Sequence, residues 1–396
     1  MRSFTVEERR ARLARRHFLA GSADSIDGVV SALVALHATD PATPYLSLLA
    51  RLPGFTVADL DAELYERRTL VKHLAMRRTL WTVRAEDLPL IQSGASDRVA
   101  DKERRRLVAD AQKAEITDDG DRWLDTACAA VLRHLAGHGE ASAKELREAL
   151  PELDGRYDYA PGKRWGGETP LAPRVLTVLS VRGDIVRGHN DGGWTVSRPR
   201  WTPMGHWLPS LSEPEAPEVA RAELVRRWLR AFGPATVTDV KWWFGSTLTW
   251  ARHALRDIEA VEVDLDGTPG FVLPDDLDVE PDAEPWCALL PGLDVTTMGC
   301  YHRDWYVGDH RSQVFDTNGN GGPTAWWNGR IVGGWGQDAN GRVELRLLED
   351  VDRDAKRALT RRADELTEWL GAVRVSARFP SPLTRAVRNS QRATKP

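Results

Sequence analysis

The sequence predicts an α+β fold in which three helices followed by a β-hairpin recur three times in tandem, with a small antiparallel, β-rich region closing the chain. Three observations carry this. Apolar residues recur at three- and four-residue steps over long stretches, as in Leu124, Ala127, Cys128, Val131 and Leu135. Each group of such stretches is followed by two β-prone runs joined by a short polar turn. From Trp286 onward the pattern changes to short β-prone runs separated by Asn and Gly.

The first unit, residues 1–115, opens with Thr5 and Glu8 in a capping-box pattern ahead of an arginine-rich amphipathic helix that carries Val6, Leu13, Phe18 and Leu19. Ile26, Val30 and Leu33 continue at helical spacing to His37, which would end that apolar stripe. Pro41 disfavours helical geometry at Asp40, so the chain should break there and restart, with Asp40 as N-cap and Pro41 in the first turn. Tyr45 to Leu49 and Val57 to Tyr65 supply two further helices. Leu70–Met76 and Thr79–Val83 are β-prone runs joined by Arg77-Arg78, so the unit reads as a winged helix.

The second unit, residues 116–205, repeats the order. A helix from Trp123, a short one at Ala141–Leu150 and a longer one at Pro170–Val181 precede a hairpin expected between Gly183–Gly188 and Gly193–Val196. In the third, residues 215–280, helices at Val219–Phe232, from Thr236 and at Thr247–Ile258 precede Val261–Asp264 and Gly270–Leu273, which bracket the turn pair Asp266-Gly267. Residues 285–396 hold β-prone runs at 288–290, 312–315, 324–327, 330–332 and 343–346, closed by a helix over 351–370. The basic, weakly apolar stretch Arg385–Pro396 predicts a mobile tail.

Composition narrows the function classes. Hydrophobic residues at 42% and charged residues at 28% are those of a globular protein. No apolar run suits a signal or an anchor, so a cytoplasmic protein without membrane contact is expected. Cys128, Cys287 and Cys300 are too scattered for a disulfide framework and form no CxxC, which excludes zinc fingers and cysteine-held iron–sulfur clusters. His134 and His138 have metal-ligand spacing, but no Glu follows His134. The glycine turns lack a following Lys-Ser/Thr, so neither a metal nor a nucleotide cofactor is expected. The net charge of −4 conceals an uneven distribution: residues 1–106 carry 18 Lys/Arg against 14 Asp/Glu, and Glu259–Glu284 is acidic. A local basic face could therefore bind phosphates, although a solvated mixed surface fits the charge equally well.

Several side chains could carry chemistry. A neutral His37 can both accept and donate, Thr39 can do the same, and Asp40 could serve as base or electrostatic stabiliser. The same residues also fit a core-edge histidine and a capping aspartate. Arg77 and Arg78, at a hairpin tip, could grip phosphates or merely keep a turn polar. Lys163, Arg164 and Trp165 pair cation with aromatic, as nucleic-acid surfaces do. Of the tryptophan doublets Trp242-Trp243 and Trp326-Trp327, one of each should be core.

Four segments, Leu33–Arg51, Met76–Pro89, Ala231–Thr236 and Val314–Asp316 with Asn318–Asn320, resemble in order the winged-helix family that contains the DNA glycosylases AlkZ and YcaQ. The resemblance implies three tandem winged helices around duplex DNA and excision of bases alkylated at ring nitrogens. In some relatives it also implies resistance to a self-made genotoxin. The family places a Gln-x-Gln or Gln-x-Asp pair where this chain has His37 and Thr39, a departure from its pattern. Arg77 and Arg78 fall in a hairpin that the family uses to engage DNA. The implied reading is a monofunctional glycosylase, acting as a monomer on duplex carrying N7-alkylguanine-type lesions. A non-catalytic winged-helix regulator or sequestering protein is the alternative.

Overall fold

The computed structural model describes residues 1–159, 162 and 166–390. They divide into two compact units, Met1–Leu60 with Ala222–Pro396, and Asp61–Arg221. Helix dominates both, and the sheets are small and antiparallel. No helix among the described residues is long and apolar enough to cross a membrane.

In the first unit the helix Val6–Arg16 starts as its sequence requires, with the Thr5 hydroxyl accepting the Glu8 N–H at 3.2 Å. Its arginines are not a free basic face. Arg12 is buried against Asp276 at 3.0 Å, Arg16 grips both oxygens of Asp276 at 2.9 and 2.7 Å, and Arg15 pairs with Glu280 at 2.6 Å. Arg10 donates to the Trp305 carbonyl at 3.1 Å. The acidic stretch thus neutralises the arginine run of this helix within one unit.

The helices and the hairpin expected over residues 215–280 are present. Thr236 and Asp239 make a reciprocal capping box for the helix Val237–Phe244, and Thr247 caps Leu248–Asp257. The strands Val261–Leu265 and Thr268–Val272 pair through a two-residue turn in which Asp266 and Gly267 both have positive φ, 52° and 81°. Ala235 bridges Phe271, adding a third strand position beside the hairpin. The C-terminal sheet is a meander of Cys287–Leu290, Thr324–Trp327, Arg330–Gln337 and Val343–Leu347. The helix Arg353–Leu370, capped by Asp352, contributes Ala355, Leu359, Ala363, Leu366 and Leu370 as its buried stripe. Trp243 and Trp326 are buried while Trp242 and Trp327 are half-buried, one of each doublet in the core.

Three local expectations are overturned in this unit. The helix Ile26–Ala32 stops five residues before His37. Val34 adopts a φ of 68°, which a β-branched residue rarely takes in a helix, and Leu36–His37 form a two-residue strand. Residues 311–314 are a helical turn rather than a strand, because a four-residue apolar-polar run fits either period. Pro382–Ser390 is a helix, so the tail read as mobile from Arg385 is ordered at least to Ser390; Leu383 and Val387, one turn apart, are buried.

The second unit is built on the helix Gly120–His138, whose Leu124, Ala127, Cys128, Val131 and Leu135 pack with Val175, Leu176 and Leu179 of the helix Ala172–Val181. Ser142 and Glu145 form a capping box for Ala143–Ala149. The hairpin partner of Ile185–Asn190 is Pro199–Pro203, not Gly193–Val196, which lies in the connecting turn. Ala141–Ser142 completes the sheet on the outer side of Pro199–Pro203. Short strand, third strand, second strand is the order expected of a winged helix. Leu70–Leu74 and Leu80–Arg84 form a second hairpin, in register Leu74 to Leu80, and Arg156–Tyr159 pairs antiparallel with Gly167–Pro170.

Each unit encloses a neutral histidine. His17 Nε2 faces the Ala231 carbonyl at 3.1 Å, and Nδ1 faces the Thr296 hydroxyl at 2.8 Å; burial, with Arg51 nearby, pushes its pKa down to about 3. His73 lies 3.1 Å from Ser96 Oγ, and burial brings it down to about 4. In the unfolded chain both take up a proton near pH 6.5, whereas the folded rings stay neutral, so stability is complete above pH 6.5 and declines as pH falls. Each unit should lose about 2 kcal/mol between pH 7.5 and 5 from this source. Urea denaturation at the two pH values measures it, and a flat profile would refute it.

Candidate active site

The turn between the strand Leu36–His37 and the helix Thr43–Leu49 carries His37, Thr39 and Asp40, and of the three Asp40 alone lines the adjoining cavity. His37 is 3% exposed, and its Nδ1 accepts the Thr39 N–H at 3.4 Å, so a neutral ring carries its proton on Nε2. Thr39 is half-buried. Asp40 does not cap the helix as its sequence suggested. The N-cap is Ala42, and Asp40 instead closes a turn, with Oδ1 accepting the Ala42 N–H at 3.1 Å. Its Oδ2 accepts the Arg378 N–H at 2.8 Å, and the Arg378 guanidinium donates to the Thr39 carbonyl at 3.1 Å.

The carboxylate lines a cavity of about 200 Å³ whose other walls include Leu46, Trp335, Gln337, Arg374 and Ser376. Gln337 pins the third wall: its amide donates to the Gly341 and Val373 carbonyls at 2.9 and 3.0 Å and accepts the Val375 N–H at 2.8 Å. Burial raises the Asp40 pKa, opposed by the two backbone N–H groups and by the Arg378 charge. Each carboxylate oxygen has a second lone pair, so the group can still accept from a water in the cavity.

Behind the corner the helix is fastened hard. Thr43 Oγ1 donates to the Gly292 carbonyl at 2.7 Å, and Ser47 Oγ to Asp294 Oδ2 at 2.6 Å. Asp294 in turn meets Arg51 in a two-point pair at 2.9 and 2.8 Å, with neither side chain exposed. Sequence reasoning missed Arg378, which bonds Asp40, and Gln337 and Arg374, which line the same cavity. They stand some 300 positions away, and no local spacing reports such a partnership.

Arg77 and Arg78 lie in the second unit, in the turn between Leu70–Leu74 and Leu80–Arg84, with φ of 55° and 60°. They are not the exposed pair expected. Arg77 is half-buried with its guanidinium 6.0 Å from the Trp81 ring centroid, and Arg78 is exposed but anchored, its Nε 2.6 Å from the buried Glu103. Trp81 Nε1 holds the turn by donating to the Met76 carbonyl at 3.1 Å. Lys163, Arg164 and Trp165 lie outside the described residues.

Helices interleaved with small sheets, with a carboxylate at the turn before Thr43–Leu49, make this a protein of the mixed α+β class. A family model described as DNA glycosylase AlkZ-like matches residues 30–369, and the chain belongs to that family. An interstrand DNA cross-link repair glycosylase of Streptomyces sahachiroi is 27% identical over 215 residues, 52% of this chain. The match spans 57% of that relative's length. The solved structure of Streptomyces sahachiroi DNA glycosylase AlkZ superposes with a TM-score of 0.74 at 21% identity, over 95% of this chain and 99% of that one, a likeness of fold.

Proposed function

We propose that the chain is a monofunctional DNA glycosylase that hydrolyses the N-glycosidic bond of bulky or cross-linked N-alkylpurines, of the N7-alkylguanine type, in duplex DNA. The observation that carries the reading is the family match, which runs through both the Asp40 corner and the Arg77-Arg78 turn. Three winged helices, at 1–115, 116–205 and 215–280, would precede the sheet-bearing region 285–396.

Alkylation at N7 leaves the purine positively charged and the glycosidic bond weakened, so the protein must place a water and stabilise an oxocarbenium-like sugar. Asp40 is the acceptor for the water proton and the counter-charge to the sugar. His37, donating from Nε2, and the Thr39 hydroxyl orient the water. Arg78 contacts a phosphate with Arg77 behind it, and Lys163, Arg164 and Trp165 are further DNA-binding residues. No metal or cofactor enters the reaction, and one copy of the chain suffices.

Incubation with a duplex containing one N7-alkylguanine tests the reading directly, by release of the base and an abasic strand. A binder without activity would shift the duplex and release nothing, and that result would overturn the proposal. Arg78→Ala should weaken duplex binding about equally for all sequences and lower the slope of log affinity against log salt by about one. An unchanged slope would remove Arg78 from the interface.

A further inference from the structure

Between the helices Arg353–Leu370 and Pro382–Ser390 the chain runs over residues 373–378 as a strap that is neither helix nor strand. Exposure alternates along it: Val373, Val375 and Ala377 are half-buried, while Arg374, Ser376 and Arg378 are exposed. A two-residue period is that of extended chain, with the three polar side chains on one face. Side chains from elsewhere in the unit hold the strap. The Gln337 amide grips the Val373 carbonyl and the Val375 N–H, and Asp40 takes the Arg378 N–H. Arg374 to Ala377 thereby form one wall of the cavity that Asp40 lines.

The arginines of the strap differ from those buried in the same unit. Arg12, Arg15, Arg16 and Arg51 are each paired with a carboxylate. Arg374 donates instead to the carbonyls of Asn340, Gly371 and Val373, at 2.6, 3.2 and 3.2 Å, and Arg378 donates to that of Thr39 at 3.1 Å. Among the described residues neither guanidinium forms an ion pair. Asp338, the other acidic residue of the cavity wall, turns Oδ1 to the N–H groups of Asn340 and Arg342 at 2.8 Å each. Carbonyl contacts fix a guanidinium in place without neutralising it, so both charges stay available to an anion. Four residues of extended chain set the two arginines about 13 Å apart. Two cations at that separation, on one exposed face, suit a linear polyanion better than a single small one.

We propose that the strap 373–378 is a phosphate rail, on which Arg374 and Arg378 take two backbone phosphates of the DNA strand that carries the damaged nucleotide and so set its sugar beside Asp40. That the strand is damaged DNA rests on the glycosylase reading. Arg378 is the positioning residue. Its guanidinium holds the Thr39 carbonyl and its backbone N–H holds Asp40, so one residue ties the phosphate to the carboxylate at a fixed distance. Replacing its side chain leaves that N–H in place, which separates phosphate binding from the support of Asp40. Phosphate contacts of this kind fix the register of a strand and carry no sequence information.

Binding of the full chain to an undamaged duplex, followed by fluorescence anisotropy across a salt series, tests the rail. Arg374→Gln and Arg378→Gln should each lower the slope of log affinity against log salt by about one, and the double variant by about two. Arg378→Lys, which keeps the charge, should restore the slope. Arg357→Gln, at an exposed arginine of the preceding helix that pairs with Asp354, should leave it unchanged. On a duplex with one N7-alkylguanine, neutral methylphosphonates placed singly along the damaged strand should weaken wild-type binding severalfold at two positions, and binding by Arg378→Gln at one of them only. An unchanged slope in a folded double variant, an equal loss in Arg357→Gln, or a wild type indifferent to every methylphosphonate would each overturn the rail. Should the variants not fold, the methylphosphonate scan of the wild type decides. Base release, measured on the same preparation, separates the two readings. Release with unchanged slopes removes the rail alone, and lowered slopes without release remove the glycosylase reading and leave the rail on DNA standing.

Discussion

Asp294→Ala is expected to destabilise the first unit by about 3–5 kcal/mol, the largest stability effect of any single substitution considered. Burial pushes the Asp294 carboxyl up, but Arg51 and the hydrogen bonds from Ser47 and the Thr296 N–H outweigh it and hold the pKa below its ordinary value. The Arg51 guanidinium also donates to the carbonyls of His17 and Ser47 at 3.0 and 2.7 Å and to Thr296 Oγ1 at 2.8 Å. Without Asp294 a charged group is left buried with neutral acceptors. The urea midpoint should fall with little change in slope. Arg51→Met combined with Asp294→Leu should recover much of the loss, because a buried pair removed whole is far less damaging than one broken. A loss below about 1 kcal/mol in the single variant would mean that water reaches the pair.

Asp40→Asn carries the largest expected effect on activity, a fall of about 10²–10⁴-fold in base excision. Asparagine keeps the volume but offers one acceptor where the carboxylate offers two, so either the Ala42 or the Arg378 N–H loses its partner. A stability loss of about 1–3 kcal/mol should accompany it. The pH profile distinguishes a chemical role from a structural one. With its pKa raised by burial, Asp40 becomes protonated at a higher pH than an ordinary aspartate, so excision by the wild type should rise with pH through a limb above the ordinary value of 3.8. An Asp40→Asn protein that excises at half the parental rate or better would take Asp40 out of the reaction.

Much of the fold was legible wherever local chemistry decides it. Asp266-Gly267 demanded a hairpin turn, and the three- and four-residue steps from Leu124 to Leu135 allowed no other face to be buried. The errors share a physical cause. His37 continues the stripe of Ile26, Val30 and Leu33, but burial does not identify the element that buries it, and the positive φ of Val34 has no sequence signature. Gly193–Val196 is as β-prone as a strand, yet the Asn190 side chain holds it as a turn, donating to the Val196 carbonyl at 2.9 Å and accepting the Arg198 N–H at 2.7 Å. At the candidate site, the corner residues could be named from the Asp40-Pro41 break. Arg378 and Gln337 reach it through long-range contacts that leave no periodic trace.

Because Asp61–Arg221 is interposed between the two halves of the other unit, the ribosome delivers it whole while its neighbour is still unfinished. Arg16 must wait for an aspartate 260 residues downstream. At about 5–20 residues per second, that is an interval of roughly 13–50 s during nascent-chain growth. Throughout it the amino-terminal helix carries uncompensated positive charge and an exposed Leu13. The inserted unit should therefore be the first to become protease-resistant on the translating ribosome, with the outer one forming only as its carboxy-terminal half emerges.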